Sequence, residues 1–250
     1  SLAADQLRDR DTLVCIGGNT PDESYLNAKS VLNVAQMQGV DSLHPGIGFL
    51  SENADFADMV RNRGINFIGP PVQSMETMGN KSNAINTSIR LNVPVVPGSH
   101  GIMTDVEKAA EVAAEIGYPI LIKAVHGGGG KGIQLVTGPE EFEQLFYRVN
   151  VEARSAFGNG DVYLEKYVTS LRHIEAQLLR DVHGNTQVLG IRDCSVQRDK
   201  QKVIEESGST MLPKKLLDVV KRSTADIANE VGYVGAGTVE FLLDGDGSFY

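Results

Sequence analysis

The chain has 250 residues, of which 41% are hydrophobic and 22% charged, and its formal net charge is −9 at pH 7. This composition is ordinary for a soluble globular protein, and the length allows one large domain or two small ones. The acidic balance argues against a nucleic-acid partner, which would need a basic surface. The longest apolar runs have the length of strands, so no segment is predicted to span a membrane.

The two cysteines, Cys15 and Cys194, are too few for a disulfide framework or a zinc site. They favour a reducing compartment, which we take to be the cytoplasm, or the mitochondrial matrix if the source is eukaryotic. The sequence opens SLAADQ without Met or a signal segment and stops at GDGSFY, where a strand is predicted to restart. We therefore expect a segment of a longer protein, in which any site is incomplete.

The first third alternates predicted strands with predicted helices, a pattern typical of parallel βαβ units. The strands are expected in TLVCIG (12–17), GVDSLHPG (39–46) and INFIGP (65–70), and the helices in residues 22–39 and 51–64. Ser51 is the predicted N-cap of the second helix, and Gly64 its C-terminal stop. Residues 71–92 are predicted to be helical twice, with a break near 79–80.

The middle stretch has the pattern of a small α+β module, and the remainder is rich in predicted strands. The module contains a helix from Thr104, its predicted N-cap, a strand in YPILIKAV (118–125), a second strand in GIQLV (132–136), a long helix over 138–158 and a strand in DVYLEKYV (161–168). Strands then follow over 172–181, 186–199 and 201–208, with a helix over 213–232 and a hairpin over 236–250.

Four consecutive glycines, residues 127–130, separate two of these strands. Such a run has no side chains to pack and loses much backbone entropy when it is ordered. Gly127, Gly129 and Gly132 formally fit G-x-G-x-x-G, but the dinucleotide fingerprint requires a helix at the third glycine, and GIQLV follows here. The P-loop template also fails, because no Ser or Thr follows a Gly-Lys pair. The loop therefore belongs to a strand–loop–strand element.

Successive backbone amides in such a loop can form an anion-binding nest, and its flexibility suits a lid that closes over phosphates. Lys123 lies in the apolar strand that enters the loop, where a charge is costly unless it meets an anion. The alternative is a merely flexible hairpin tip, which would need fewer glycines. We favour the phosphate lid.

A series of motifs in this order resembles the biotin carboxylases, which are ATP-grasp enzymes of biotin-dependent carboxylases. The motifs are HPGIGFLSENADFA (44–57), FIGP (67–70), MGNKSNA (78–84), YPILIKAVHGGGGKG (118–132), VYLEKYV (162–168), RHIEAQ (172–177), RDCSVQRDKQKVIEE (192–206) and GYVGAGTVEF (232–241). The resemblance covers essentially the whole chain. It implies an ATP-grasp fold of α/β and α+β units, with the N-terminal Rossmann-like domain and the C-terminal domain both incomplete.

The resemblance implies four regions: an incomplete N-terminal α/β domain (1–67), linker helices (68–94), the ATP-grasp lid (95–168) and an incomplete C-terminal ATP-grasp domain (169–250). It also implies that an E-x-N-x-R segment follows the last residue given. That segment would supply a second metal carboxylate, an arginine for biotin and a base for bicarbonate.

The resemblance further implies which residues bind ATP. Lys81 and Lys123 would contact phosphates, under the amides of Gly129 and Gly130. In the hinge, backbone groups of Lys166 and Val168, which flank Tyr167, would bind adenine, with Glu165 on a ribose hydroxyl or the amino group. His173 and Gln197 would form the opposite wall. From the residues alone, Lys81 is an ordinary solvated lysine, residues 165–168 an ordinary strand end and His173 a structural histidine.

Lys202 resembles the lysine that binds bicarbonate and the transferring phosphoryl group, where a cation would neutralise developing charge. Glu240 resembles the first Mg²⁺ (or Mn²⁺) carboxylate. Its position inside the apolar run GTVEFLL supports this, because a carboxylate in an apolar strand needs a compensating partner. The alternative for Glu240 is a salt bridge.

Two departures from the family pattern stand out. Lys200 occupies the position of a histidine two residues before Lys202; it can still reach an anion or a ribose oxygen but cannot accept a hydrogen bond. EESGST (205–210) replaces the family's EEAP, which puts the local loop geometry in question.

The resemblance implies that ATP and bicarbonate form carboxyphosphate and that CO₂ then carboxylates biotin on a carrier protein. The implied partners are this carrier, a carboxyltransferase and a second copy of the chain, with an acyl-CoA as the expected final acceptor. The alternatives are another ATP-grasp ligase, such as a carbamoyl-phosphate synthetase, and a non-catalytic nucleotide-binding homologue.

Overall fold

The computed structural model describes residues 11–79, 81–125, 132–168, 172–198, 201–208, 212–245 and 247–250, without the side chains of residues 81, 82, 156 and 157. Within these ranges the chain forms seven α-helices and nine strands, which make three separate sheets. None of the described helices is both long and apolar enough to cross a membrane.

The N-terminal region is built on a short parallel pair of strands flanked by helices. Its elements are α1 (Ala28–Met37), β1 (Ser42–Leu43), α2 (Ala54–Arg61) and β2 (Asn66–Phe67). Parallel pairing of β1 with β2 confirms the predicted βαβ unit. The apolar faces of both helices pack into one cluster with Leu32, Phe56 and Val60 at its centre. Two linker helices, α3 (Val72–Gly79) and α4 (Lys81–Arg90), follow on either side of the predicted break.

Three local predictions in the sequence are wrong. The predicted strand over 12–17 has no strand structure: Leu13 is 70% exposed, and the segment pairs with no strand among the described residues. The N-cap of α2 is Asn53, whose side chain accepts a hydrogen bond from the Phe56 N–H, because Ser51 lies in a preceding 3₁₀ turn. The next helix, α5, is likewise capped by Asp105 instead of Thr104.

The middle region is a three-stranded antiparallel sheet covered on one face by two helices. Its elements are α5 (Val106–Ile116), β3 (Ile120–Ala124), β4 (Ile133–Val136), α6 (Phe142–Phe157) and β5 (Val162–Lys166), with β3 at the centre of the sheet. Alternate β3 residues Ile120 and Ile122 are fully buried under the helices, so Lys123 lies on the opposite face. Both strands of the predicted strand–loop–strand element are confirmed, since β3 and β4 pair antiparallel with Lys123 opposite Ile133; residues 126–131 between them lie outside the described residues.

The C-terminal region is a four-stranded antiparallel sheet with one helix against its apolar face. The strands are β6 (Arg172–Arg180), β7 (Thr186–Arg198), β8 (Gln201–Ser207) and β9 (Gly235–Leu243), in the order β8-β7-β6-β9, and the helix is α7 (Lys214–Glu230). Ile174, Ala176 and Phe241 point into the core on α7. The alternate residues of β6 and β9 therefore face away from that core.

Truncating the core of the middle region should cost substantial stability. Leu164 in β5 is fully buried, so Leu164→Ala should lower the free energy of unfolding by about 3 kcal/mol through lost burial and a residual cavity. Leu135→Ala in β4, at a side chain that is 40% exposed, is the control. Urea denaturation measures both, and equal losses in the two variants would contradict the packing described.

Candidate active site

The polar face of the four-stranded sheet gathers four of the predicted site residues, His173, Gln197, Lys202 and Glu240. On β6, His173 and Glu175 alternate with the buried Ile174, so both side chains lie on the face away from α7. Pairing of β6 with β9 places Glu175 directly opposite Glu240. Two carboxylates are thereby neighbours across a strand pair, an arrangement that requires cations nearby.

Glu175 is the buried member of this pair, with 3% of the residue exposed. Its Oε1 contacts the Lys202 ammonium, and its Oε2 accepts a hydrogen bond of 2.7 Å from Arg192 Nη2. A carboxylate withdrawn from water this far is stable only when it is paired and hydrogen-bonded, and here both oxygens meet this condition. Sequence reasoning missed Glu175, although a glutamate inside the run RHIEAQLL carried the same signal as Glu240 in GTVEFLL.

Lys202, at the second position of β8, lies between the two carboxylates. Besides its contact with Glu175, its Nζ donates to Glu240 Oε1 at 3.0 Å. The side chain of Lys202 is 28% exposed, whereas that of Glu240 is 55% exposed. Lys202 is therefore held on its buried side by Glu175, while the carboxylate oxygens of Glu240 stay accessible to a ligand.

His173 and Gln197 complete this cluster. His173 Nε2 lies 3.4 Å from Glu240 Oε1 and 3.8 Å from Glu175 Oε1, and the other ring nitrogen, Nδ1, lies 2.8 Å from Gln197 Nε2. The structure thus brings together four predicted residues that are up to 67 positions apart in the chain (His173 to Glu240).

A second polar network holds the neighbouring backbone. Asp193 accepts hydrogen bonds from the Arg172 guanidinium on one oxygen and from the Ser195 N–H and hydroxyl on the other. Burial raises the pKa of Asp193, but the hydrogen bonds from Ser195 and Arg172 outweigh it and hold that pKa below its usual value. Ser195 Oγ in turn accepts the His173 N–H at 3.0 Å, which fixes the start of β6 against β7.

The middle region contributes a separate ion pair. Lys123 on β3 and Glu165 on β5 project from the face opposite the helices, and the Lys123 ammonium contacts Glu165 Oε2. The two side chains are 24% and 20% exposed, so both reach solvent. Beside them, burial together with the charge of Glu165 raises the pKa of Tyr163 to about 12, so its hydroxyl stays a neutral donor.

The segment after Glu165 is anchored by its backbone. The Lys166 N–H donates to the Pro97 carbonyl at 2.7 Å, and the Tyr167 N–H donates to the Pro119 carbonyl at 3.0 Å. The Lys166 ammonium donates to the carbonyls of Gly117 (2.6 Å) and Tyr118 (3.1 Å). Because the Lys166 N–H is already hydrogen-bonded, the backbone group of Lys166 that can bind adenine is its carbonyl oxygen.

A cavity of about 260 Å³ joins the middle and C-terminal sheets. Glu165 lines it from one side and Glu240 from the other, together with the apolar Val95, Val239 and Leu242 and with Tyr163. An apolar cavity bordered by a few charged groups is the usual form of a small-molecule site.

Three predicted site residues are not placed, and a fourth is placed only in part. Gly129, Gly130 and Lys200 lie outside the described residues, and Lys81 is placed by its backbone alone, at the first position of α4. Val168, the last hinge residue, is 8% exposed.

The donor set fits a hard divalent cation at Glu240. Mg²⁺ takes oxygen ligands and is usually held by one or two carboxylates and by substrate phosphates, and Glu240 offers an accessible carboxylate. Glu175 also lies within reach of the same point, together with His173. Its two oxygens are each engaged by a cation, so we assign Glu175 to positioning Lys202 and not to the metal.

Two family models match this chain along nearly its whole length. One, described as the N-terminal domain of biotin carboxylase, matches residues 2–75. The other, described as the ATP-binding domain of the carbamoyl-phosphate synthase L chain, matches residues 80–250.

Individual proteins give the same result. The chain is 50% identical over 240 residues to the chloroplastic biotin carboxylase 2 of Populus trichocarpa, covering 96% of this chain and 46% of that protein. It is 45% identical to the biotin carboxylase of a Nostoc species, covering 96% of this chain and 54% of that protein. The chain thus spans about half the length of these relatives.

Solved structures agree in fold. The biotin carboxylase of Campylobacter jejuni, in a β,γ-ATP complex, superposes with a TM-score of 0.84 at 43% identity, over 94% of this chain and 53% of that one. The biotin carboxylase domain of the 2-oxoglutarate carboxylase of Hydrogenobacter thermophilus, a dimer with MgADP, ADP and bicarbonate, gives 0.80 at 44% identity, over 93% and 51%. The ATP-grasp fold predicted from the sequence is confirmed.

Removing the charge of Glu175 should lower the stability of the fold. Glu175→Gln keeps the volume but leaves Lys202 and Arg192 without their shared counter-charge, so we expect the free energy of unfolding to fall by about 2 kcal/mol. Glu206→Gln, at an exposed position of the edge strand β8, should change it by less than about 0.5 kcal/mol. Urea denaturation of both variants is the measurement, and a Glu175 effect no larger than the Glu206 effect would refute the role assigned to this carboxylate.

Proposed function

The chain belongs to the biotin carboxylase family, and from that premise we propose that it carries out the ATP- and bicarbonate-dependent carboxylation of biotin on a carrier protein. The observation that carries this proposal is the placement of Lys202. Its ammonium is fixed between Glu175 and Glu240, and Glu240 lines the same cavity as Glu165, the partner of Lys123.

We propose that the four predicted regions are the working parts of this enzyme, with residues 95–168 acting as the lid. Three separate apolar clusters support the division, one in each of the N-terminal, middle and C-terminal regions. The linker (68–94) packs against both of its neighbours, through Val72 and Met75 on the N-terminal cluster and through Met78 and Leu91 on the C-terminal cluster. The lid cluster contains only residues of the middle region, so this unit can move as a body.

In the proposed reaction a bicarbonate oxygen attacks the γ-phosphorus of ATP, and ADP leaves. The resulting carboxyphosphate gives CO₂ and phosphate, and N1′ of biotin attacks the CO₂ and loses its proton. Much of the protein's share in such a phosphoryl transfer is positioning and charge neutralisation.

Each described residue has a role that follows from its surroundings. Lys123 moves its ammonium from Glu165 to the phosphates, which frees Glu165 for a hydroxyl or amino group of the nucleotide. Lys202 stays on Glu175 and offers its remaining N–H groups to bicarbonate and the transferring phosphoryl group. His173 and Gln197 form the wall beside Glu240.

Glu240 is the residue that would hold Mg²⁺, which would neutralise phosphate charge when bound. Lys81, the amides of Gly129 and Gly130, and Lys200 complete the proposed nucleotide site. Lys200 would act as a cation toward an anion or a ribose oxygen, in place of the family's histidine.

The carrier protein, a carboxyltransferase and a second copy of the chain are the proposed partners. Relatives named for pyruvate, methylcrotonoyl-CoA and 2-oxoglutarate match this chain at 44%, 45% and 44% identity, so the shared part is the biotin step and not the final acceptor. We propose an acyl-CoA as the first acceptor to test. The proposed location of the enzyme is the cytoplasm or the mitochondrial matrix.

A carbamoyl-phosphate synthetase is the second candidate, because the family model over residues 80–250 has that description. Both reactions begin with carboxyphosphate and differ in whether biotin or ammonia takes up the carbon. The matched relatives described above carry biotin carboxylase names over both halves of the chain, which favours biotin.

Substrate dependence tests the proposal directly. We expect the purified full-length protein to release ADP from ATP only when bicarbonate and biotin are both present, and to transfer ¹⁴C from bicarbonate to biotin. Ammonia in place of biotin should give no carbamoyl phosphate. ADP release that ignores biotin but responds to ammonia would establish the second candidate instead.

Lys202→Ala should abolish carboxylation while ATP binding persists. Loss of a fixed cation at the transferring group should lower kcat by about 100-fold or more. Lys215→Ala, on an exposed position of α7, is the matched control and should leave kcat unchanged. Steady-state kinetics and ATP titration measure the two effects, and full turnover by the Lys202 variant would remove Lys202 from its proposed role.

A further inference from the structure

The hydrogen-bond partners of Gln197 show whether the oxygen or the NH₂ group of its side-chain amide faces them. Its Nε2 lies 2.8 Å from the Cys194 carbonyl oxygen. A carbonyl oxygen can only accept, so the amide group turned toward Cys194 is the NH₂. The same Nε2 lies 2.8 Å from His173 Nδ1.

An NH₂ group has two protons and no acceptor site, so it donates one proton to Cys194 and the other to His173. His173 Nδ1 must therefore be the unprotonated nitrogen of the ring. In a neutral imidazole the proton then resides on Nε2. We propose that Gln197 is a positioning residue that fixes His173 in the Nε2–H tautomer.

The backbone around Gln197 is shaped for this contact. The pairing of β7 with β8 shifts register between Asp193 and Gln197, an irregularity that turns the Gln197 side chain back toward Cys194, three residues earlier. The Asp193–Ser195 hydrogen bonds hold this irregularity, and Ser195 Oγ accepts the His173 N–H. His173 is thereby fixed at its backbone by Ser195 and at its ring by Gln197.

The consequence is a directed donor in the site. Nε2 is buried without a hydrogen-bond partner among the described residues, and it is turned toward the Glu175–Glu240 carboxylates at 3.4 to 3.8 Å. A proton held on this nitrogen can be donated to an oxygen of Glu240 or of a ligand bound beside it. The opposite tautomer would present a lone pair to carboxylates, which is unfavourable.

The inference deepens the proposed function, on which its relevance to ATP rests, but its test does not depend on turnover. Long-range ¹H–¹⁵N correlation spectra of the full-length protein with ¹⁵N-labelled histidine report which ring nitrogen carries the proton. Loss of one signal set in His173→Asn assigns the ring among the histidines of the full-length protein, five of which lie in the sequence given. We expect a protonated-type Nε2 and an unprotonated-type Nδ1 signal for neutral His173 without nucleotide.

Two variants of Gln197 separate tautomer control from simple packing. In Gln197→Glu the carboxylate can only accept a hydrogen bond, which favours a proton on Nδ1, so the unprotonated-type Nδ1 signal should be lost. In Gln197→Met no donor faces Nδ1 and only the carboxylates still favour the Nε2–H tautomer, so a fraction of the Nδ1–H tautomer should appear beside it. Gln187→Glu, at an exposed position on the same strand, should leave the His173 signals as they are in the wild type.

Kinetics give the readout in the working enzyme. Gln197→Met should raise KM for ATP roughly three- to tenfold, the effect of one misdirected hydrogen bond, with a smaller change in kcat. A wild-type ring protonated on Nδ1 in its neutral form would overturn the inference. So would His173 signals that stay at their wild-type positions in either Gln197 variant, whether or not the protein carboxylates biotin.

Discussion

Glu175 is 3% exposed, and each of its carboxylate oxygens contacts a cation carried by a different strand. Taking a carboxylate this far out of water costs several kcal/mol, and the cost is offset only while both cations stay in place. The carboxylate therefore constrains the positions of Lys202 on β8 and Arg192 on β7 together. This constraint sets the geometry on which the rest of the site depends.

Lys202 needs such a constraint because β8 is a poor platform on its own. It is the edge strand of its sheet, and every one of its seven residues is exposed. A lysine there would ordinarily move freely in solvent and lose considerable side-chain entropy on binding a ligand. The contact with Glu175 removes this freedom in advance, which is the form of preorganisation that phosphoryl transfer rewards.

The helices and strands were predicted well where the hydrophobic periodicity extends over many residues. The strand–loop–strand element around the glycines, the strands of the C-terminal sheet and the long helices α6 and α7 follow from hydrophobic periodicity and turn residues. The predicted strand over 12–17 is wrong because a strand exists only where another strand pairs with it, and its apolar pattern gives no information about the partner.

The candidate site was predictable in its parts but not in its contacts. Lys202, His173, Gln197 and Glu240 were identified through a resemblance to a family, whereas Glu175 was overlooked. Its importance comes from the pairing of β6 with β9 and β7, which places it opposite Glu240 and Arg192. Register across strands that are 65 residues apart (Glu175 to Glu240) is a tertiary property, and no local sequence signal encodes it.

The charges of the described residues bear on how a nucleotide enters this site. Three cations, Lys123, Arg192 and Lys202, contact or lie beside four carboxylates, those of Glu165, Glu175, Glu205 and Glu240. Each cation is already paired, so this cluster alone offers no excess positive field to a polyphosphate. In the proposed site, nucleotide binding would therefore exchange partners: Lys123 would leave Glu165, and Lys202 would keep Glu175 while giving up Glu240. The second exchange would leave Glu240 as a carboxylate without its cation, which is the condition in which it could bind a divalent cation. In this proposal the phosphate contacts of Lys202 and metal binding at Glu240 are linked through one shared oxygen atom, Oε1 of Glu240.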